Sequence, residues 1–70
     1  MDIITIKHHH YGETTVAVAR ETAKAVLLKG NASEAWFPKK ALGDDNFIAD
    51  WFSLGLEHSF LFQAPYNEAV

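Results

Sequence analysis

Residues 21–42 read ETAKAVLLKGNASEAWFPKKAL, and this stretch decides the fold. Three consecutive aliphatic residues within 24–29 predict a strand that is covered on both faces. The small and polar residues at 30–33 predict a turn, and 34–37 predicts the strand that returns. Pro38 has no backbone N–H, so it ends that strand or confines it to the edge of a sheet. The stretch therefore predicts an antiparallel hairpin that ends at Pro38.

Two more strands are predicted upstream of this hairpin. Residues 2–10 alternate weakly between the two faces of a strand. A turn signal at 11–14 follows, and 14–20 carries β-branched residues at alternate positions. We therefore expect a second strand that pairs back on the first.

A helix of two to three turns is predicted downstream of the hairpin. The segment 38–42, which opens on a proline, first predicts a single helical turn. Asp44 and Asp45 then supply an N-cap and first-turn acids, and apolar residues between positions 47 and 54 recur at spacings of three and four. Gly55 is expected at the left-handed position that follows a helix.

The last part of the chain predicts one more strand and a tail. Residues 59–63 alternate, with Phe60 and Phe62 on one face. Pro65 stops this strand, and we expect residues 66–70 to form a flexible tail.

A single domain spanning residues 1–70 is expected, because 70 residues suffice for one small core only. The predicted fold class is α+β and mainly β. It is a small curved antiparallel sheet, or an open barrel, of four to five strands with one short helix in the C-terminal half. The small size and the many aromatic residues keep a homodimer open as an alternative.

The composition excludes some functional classes. The chain has no cysteine, so disulfides and cysteine–zinc sites are excluded. Its formal net charge is −3 and Arg20 is its only arginine, which argues against a nucleic-acid binder, since such proteins neutralise phosphates with lysine and arginine. No apolar run reaches the roughly 20 residues of a membrane helix, and the acidic start lacks a signal-peptide pattern. We therefore expect a cytoplasmic protein.

The run His8-His9-His10 is the most conspicuous chemical feature of the sequence. In a strand, His8 and His10 project from one face, where two imidazoles can chelate a transition metal. His58 joins them if the last strand lies beside the first. No carboxylate stands at ligand spacing, so we expect no metal and no other cofactor. A metal site formed by His8 and His10 is the weaker hypothesis, and a pH-sensitive histidine surface is the other.

Catalytic motifs are missing from the sequence. It contains no nucleophile elbow, no glycine-rich phosphate loop and no zinc-binding helix motif. Helix capping accounts for Asp44 and Asp45, and a polar helix face accounts for Asp50, without glycosidic chemistry. We therefore expect no enzyme activity.

Lys39 and Lys40 beside Trp36 supply the best argument for nucleic-acid binding. Aromatic residues on a sheet surface stack bases, and lysines contact phosphates. Trp36 and Phe37 point to opposite faces of their strand, so at least one of them belongs to the core. Because the chain has only six basic residues, a single-strand nucleic-acid module is the alternative rather than the leading hypothesis.

Three groups of residues resemble a family of short proteins that bacteriophages and mobile elements encode. They are Glu-Thr-x-Lys-Ala-Val-Leu from Glu21, Trp-Phe-Pro-Lys-Lys from Trp36, and Ile-x-Asp-Trp-Phe-x-x-Gly-Leu from Ile48. The family pattern has Trp-Ile-Pro-Lys in the second group and Pro-Glu-Trp-Leu in the third. The chain departs from that pattern at residues 8–11 and at Ala49, where a proline is common.

The resemblance implies a small accessory protein in a host bacterial cell, of the kind that includes anti-CRISPR inhibitors. Such a protein binds and blocks a larger host protein or complex. Acids would steer the association, and an exposed aromatic residue would anchor it. The predicted contact residues are Asp44, Asp45, Asp50, Glu57, Phe52 and Tyr11. The alternatives are a single-strand nucleic-acid module that uses Trp36, Lys39 and Lys40, and a structural homo-oligomeric subunit.

Overall fold

The computed structural model describes residues 2–67, which form a four-stranded antiparallel sheet and one α-helix. The elements are the strands β1 (Asp2–His8), β2 (Gly12–Glu21), β3 (Ala25–Lys29) and β4 (Glu34–Pro38) and the helix α1 (Leu56–Gln63), with 3-10 turns at Lys39–Ala41 and Asp44–Asn46. The strands lie in the sheet in chain order, so each is joined to its neighbour by a hairpin. The predicted fold class is confirmed, as an open sheet of four strands with its helix in the C-terminal half.

The core lies between one face of the sheet and α1. Each strand contributes a fully buried side chain, and the loop before α1 and α1 itself contribute one each. These side chains are Ile6, Val16, Leu28, Phe37, Ile48 and Leu61. Removal of such a side chain from water contributes roughly 1.5–3 kcal/mol to folding. Neighbours along a strand alternate between faces, so Leu27 and Trp36 belong to the other face of the sheet, which we call the outer face.

The β3–β4 hairpin forms where the sequence predicted it. Leu27 lies opposite Trp36, and the N–H of Gly30 donates to the carbonyl oxygen of Ser33 at 2.9 Å to close the turn. A Cβ atom on Gly30 would lie 2.5 Å from the backbone oxygen of Ala64. The end of α1 therefore approaches the turn so closely that the position requires glycine.

The strand β4 is an edge strand whose free edge is partly covered. Its last residue, Pro38, has no N–H to offer, and the 3-10 turn Lys39–Ala41 follows as the sequence predicted. The carbonyl oxygen of Trp36 lies 2.9 Å from Nε2 of His58 in α1. Both features oppose the addition of a further strand at this edge.

The predicted helix between positions 44 and 54 is wrong. Asp45 and Asn46 both have a left-handed φ of 59°, a conformation that Asp and Asn tolerate better than most other residues. Ile48 then bonds as a strand residue, since its N–H donates to the carbonyl oxygen of Lys7 at 2.7 Å. Burial of Ile48 against the sheet takes the place of the expected helical face.

The predicted strand at 59–63 is also wrong, because this segment lies in α1. Gly55, expected after a helix, precedes one with a φ of −81°, and its N–H donates to Nδ1 of His58 at 2.9 Å. That contact is one half of a capping box, in which the third helical residue reaches back to the N-cap. Leu61 is fully buried against the sheet, and its carbonyl oxygen accepts a hydrogen bond from the hydroxyl of Thr14 at 2.9 Å.

The two ends of the described chain also differ from expectation. The strand β1 ends at His8 rather than at position 10, because the following residues turn the chain toward Gly12. Part of the predicted tail is bonded to the rest of the molecule, since the N–H of Tyr66 donates to the carbonyl oxygen of Thr15 at 3.0 Å. The remainder of that tail, residues 68–70, lies outside the described residues.

Candidate functional site

Basic and acidic residues are distributed unevenly along the chain, with a change at position 40. All six lysine and arginine residues and four of the nine acids lie in residues 1–40. Residues 41–70 contain the other five acids and neither lysine nor arginine. The formal charges of the two parts are therefore +2 and −5, and each part carries exposed aromatic side chains.

We call residues 44–60 the acidic segment. Its four acids are all exposed, and they are Asp44, Asp45, Asp50 and Glu57. The first two lie in a 3-10 turn. Glu57 lies in the first turn of α1, where the helix dipole favours a negative charge.

Four large apolar side chains of the acidic segment are exposed to solvent. Phe47 is 44% exposed, Trp51 63%, Leu56 70% and Phe60 37%. Leu56 and Phe60 are four residues apart in α1, so they lie on the same, solvent-facing side of the helix, while Leu61 lies on the side that packs against the sheet. Several large apolar side chains exposed on one short segment make it a candidate protein-binding surface.

The sequence predicted Phe52 and Tyr11 as exposed anchors, and the structure separates them. Phe52 is half-buried, with its ring centroid 5.6 Å from that of Phe37, so the expectation that it is exposed is wrong. Its neighbour Trp51 takes the exposed position instead. Tyr11 is 47% exposed, but it lies in the β1–β2 turn and stacks on Phe62 at 5.5 Å.

His58 fixes the acidic segment to the sheet. Its Nδ1 accepts the N–H of Gly55, and its Nε2 lies 2.9 Å from the carbonyl oxygen of Trp36. Only the neutral tautomer with its proton on Nε2 satisfies both contacts. The ring also packs edge-on against Phe37, with centroids 4.7 Å apart. Because both ring nitrogens are occupied, His58 does not join the histidine run in a metal site.

The other three histidines lie at the turn between β1 and β2. Nδ1 of His8 accepts the backbone N–H groups of His10 and Tyr11 at 3.0 and 3.3 Å. Desolvation lowers the pKa of His8, and the neighbouring His9 and His10 lower it further, whereas Asp50 raises it. Nδ1 of His9 lies 3.2 Å from Oδ1 of Asp50. Within residues 2–67, no group of three His, Cys, Asp or Glu side chains is placed to hold a metal ion.

A second surface is centred on Trp36, which is 46% exposed on the outer face of the sheet. Leu27 lies opposite Trp36, and Arg20 lies opposite Leu27, so the three side chains form one row on that face. Arg20 reaches the row through an irregularity in register between Val18 and Arg20. Without this bulge, Arg20 would follow Val18 onto the core face.

A depression of about 350 Å³ lies two residues further along β4 from Trp36, beside the turn between β2 and β3. Its lining residues are Ala23, Lys24, Pro38, Lys39 and Lys40. Nζ of Lys39 lies 2.6 Å from Oε2 of Glu21, so this lysine is already paired. We call Arg20, Lys24, Trp36, Lys39 and Lys40 together the basic end. Three of them were predicted from the sequence, whereas Arg20 and Lys24 were missed because a bulge and a turn bring them there.

The described side chains do not form a serine–histidine pair. The hydroxyl of Ser33 donates to the carbonyl oxygen of Glu57 at 3.0 Å, and that of Ser59 donates to the carbonyl oxygen of Leu56 at 2.9 Å. No helix within residues 2–67 is long and apolar enough to span a membrane. No protein-family model, curated protein or solved structure matches the chain. The resemblance to phage-encoded proteins therefore stays a prediction.

Proposed function

We propose that this chain is a non-enzymatic interaction protein that docks its acidic segment onto a basic surface of a larger protein. One observation carries the proposal. Trp51 and Leu56 are the most exposed large apolar side chains of the described residues, and they lie in a part of the chain that has five acids and no lysine or arginine. Exposed apolar side chains that are surrounded by negative charge are complementary to a basic surface that contains an apolar pocket.

The two kinds of side chain have different roles in this proposal. Burial of Trp51 and Leu56 supplies affinity, and truncation of such an anchor at the centre of an interface costs about 2 kcal/mol or more. The acids, Asp44 and Asp45 among them, raise the association rate and make it sensitive to salt.

The acidic segment is held in place before binding. Ile48 is bonded to β1, and His58 is bonded to β4. Phe52, which precedes the helix, is packed against Phe37 in the core. A surface that is already ordered loses little conformational entropy on association, so more of its contact energy appears as affinity.

The class of partner follows from the resemblance rather than from the geometry. Phage accessory proteins of this size include inhibitors of host defence complexes of CRISPR type. An acidic surface suits the basic groove through which such a complex holds nucleic acid. We therefore propose that the partner is a host defence complex and that the chain blocks its groove.

Calorimetry on a partner captured from host lysate and then purified tests the proposal. We expect the double variant Trp51→Ala and Leu56→Ala to weaken binding by about thirtyfold or more. The pair Asp44→Asn and Asp45→Asn should weaken binding several-fold at low salt and much less at high salt, because asparagine keeps the left-handed turn while it removes the charge.

The matched control is the pair Lys24→Gln and Lys40→Gln, which also changes two charges but lies outside the acidic segment. This pair should leave the affinity for the protein partner within about twofold. Unchanged affinity in both acidic-segment variants would contradict the proposal. Light scattering distinguishes the homo-oligomeric alternative, which requires a mass above that of one chain without any partner.

A further inference from the structure

We propose that the basic end is a second, independent binding site and that its ligand is a single-stranded nucleic acid. This site goes beyond the docking role of the acidic segment and shares no residue with it. Its centre is the indole of Trp36, which lies partly exposed on the outer face of the sheet. An exposed aromatic ring with cations beside it is the general arrangement for binding a single strand, since the ring stacks a base and the cations meet phosphates.

Cations lie near Trp36 in two directions. Across the sheet, Arg20 lies in the same cross-strand row beyond Leu27, two strand spacings or roughly 10 Å away. Along β4, Lys24 and Lys40 line the depression next to Pro38, two residues beyond Trp36. A single strand that stacks a base on Trp36 therefore has positive charge within reach both across the sheet and along β4.

Three of these cations are available to phosphates. Lys39 is paired with Glu21, but Arg20, Lys24 and Lys40 make no ion pair within residues 2–67. Each phosphate that is neutralised on a single strand adds about −0.7 to the slope of log affinity against log salt. We therefore expect a slope near −2, which is a modest salt dependence that suits a small site.

The structure favours a nucleic acid over an acidic peptide as the ligand. A peptide that adds to the sheet needs a free strand edge, and the edge of β4 lacks the N–H of Pro38 and has the carbonyl oxygen of Trp36 engaged by His58. The carboxylates of an acidic peptide gain nothing from an indole face, whereas every nucleic-acid base has a face that stacks.

The two tryptophans make a direct test available. The chain has only Trp36 and Trp51, so Trp51→Phe leaves Trp36 as the sole indole and Trp36→Phe leaves Trp51. We would titrate each variant with an oligothymidylate of about 12 nucleotides, within the range that one small domain covers. The fluorescence of Trp36 should be quenched to saturation, and that of Trp51 should not change.

Charge variants locate the phosphate contacts. The pair Lys24→Gln and Lys40→Gln should weaken binding about five- to tenfold and bring the salt slope from near −2 to near −0.7. Lys7→Gln is the control, because Lys7 lies opposite Glu13 in the β1–β2 register, at the far end of the sheet, and its loss should change the affinity less than twofold. Trp36→Ala, followed with a labelled oligonucleotide, should weaken binding at least tenfold.

Three outcomes would overturn the proposal. They are an unquenched Trp36 at about 50 mM salt, equal weakening by Lys7→Gln and by the basic-end pair, and displacement of the oligonucleotide by polyglutamate at equal charge concentration. The double variant Trp51→Ala and Leu56→Ala should still bind the oligonucleotide. Loss of protein docking with retained oligonucleotide binding therefore separates the failure of one proposal from the failure of the other.

Discussion

The β3–β4 hairpin and the acidic segment differ in where their backbone groups find partners. In the hairpin, β3 pairs with β4 directly after a four-residue turn, and the turn is closed by its own Gly30 and Ser33. In the acidic segment, Ile48 bonds to Lys7 in the first strand. His58 bonds to Trp36 at the free edge of β4. The two strands of the hairpin thus pair locally, although its turn also contacts the end of α1, whereas the acidic segment is shaped by strands that precede it.

This difference has consequences for folding and for function. Local contacts form with little loss of loop entropy, so the hairpin can order early, while the acidic segment requires a finished sheet. The proposed docking surface therefore lies on the part of the molecule that depends most on the rest.

The largest effect is expected at Gly30, where the hairpin turn meets the end of α1. A Cβ atom there would lie 2.5 Å from the backbone oxygen of Ala64, so Gly30→Ala must move the helix end. We expect the free energy of unfolding, measured by urea denaturation, to fall by about 2–3 kcal/mol. In the control Gly43→Ala, the new Cβ atom meets only the backbone oxygen of Phe47, at 3.5 Å. That change should cost less than about 0.5 kcal/mol. Equal losses of unfolding free energy in the two variants would contradict a tight contact between Gly30 and the end of α1.

A smaller effect is expected from His58→Ala, which removes the link between the acidic segment and β4. The N–H of Gly55 and the carbonyl oxygen of Trp36 lose their partner, and we expect a loss of about 2 kcal/mol. Hydrogen exchange should then accelerate in α1 more than in β3 and β4. His10→Ala, at an exposed turn position, should change neither quantity. Equal acceleration of exchange in the hairpin and in α1 would contradict the view that the acidic segment depends on contacts with the sheet while the hairpin does not.

The smallest effect is a pH dependence at the β1–β2 turn, where His8 accepts two backbone N–H groups. The folded chain lowers the pKa of His8 below its ordinary value of 6.5, so the unfolded chain takes up the proton first as the pH falls. This group therefore leaves the free energy of unfolding unchanged above about pH 7 and reduces it progressively as the pH falls from about 6.5 toward the lowered folded value.

The variant His8→Asn isolates this contribution, because asparagine can accept the same turn N–H groups without titrating. Between about pH 7.5 and pH 5.5, wild type should lose more stability than the variant. Charges that face His8 are those of His9, His10 and Asp50, and they are common to both proteins. An identical pH profile for the two would contradict the assignment.

The hairpin could be predicted because each of its signals is local. Pro38 marks an edge through its missing N–H, and the alternation of Trp36 and Phe37 places one outward and the other in the core, as the structure confirms. The position of the helix could not be predicted in the same way. Asp45 and Asn46 suit a left-handed turn as well as a helix start, and only the pairing of Ile48 with β1 decides between them.

The candidate sites divide along the same line. Trp36, Lys39 and Lys40 were predicted together as the alternative, nucleic-acid site, because they are close in the chain. The exposure of Trp51 in place of Phe52 depends on which of two adjacent aromatic rings meets Phe37. The arrival of Arg20 beside Trp36 depends on a bulge in β2 that no sequence motif marks.

The sequence by itself determined the fold class, the β3–β4 hairpin and the division of charge at position 40, since these depend on neighbouring residues and on composition. The tertiary structure alone decided the course of residues 44–63. Their apolar pattern can bury its side chains as a helix or as a loop followed by a helix, and the choice lies in backbone groups of distant strands. The backbone carbonyls of Lys7 and Trp36 are such groups, and the side-chain hydroxyl of Thr14 adds a third contact. Through them the sheet decides which aromatic side chains remain exposed for binding.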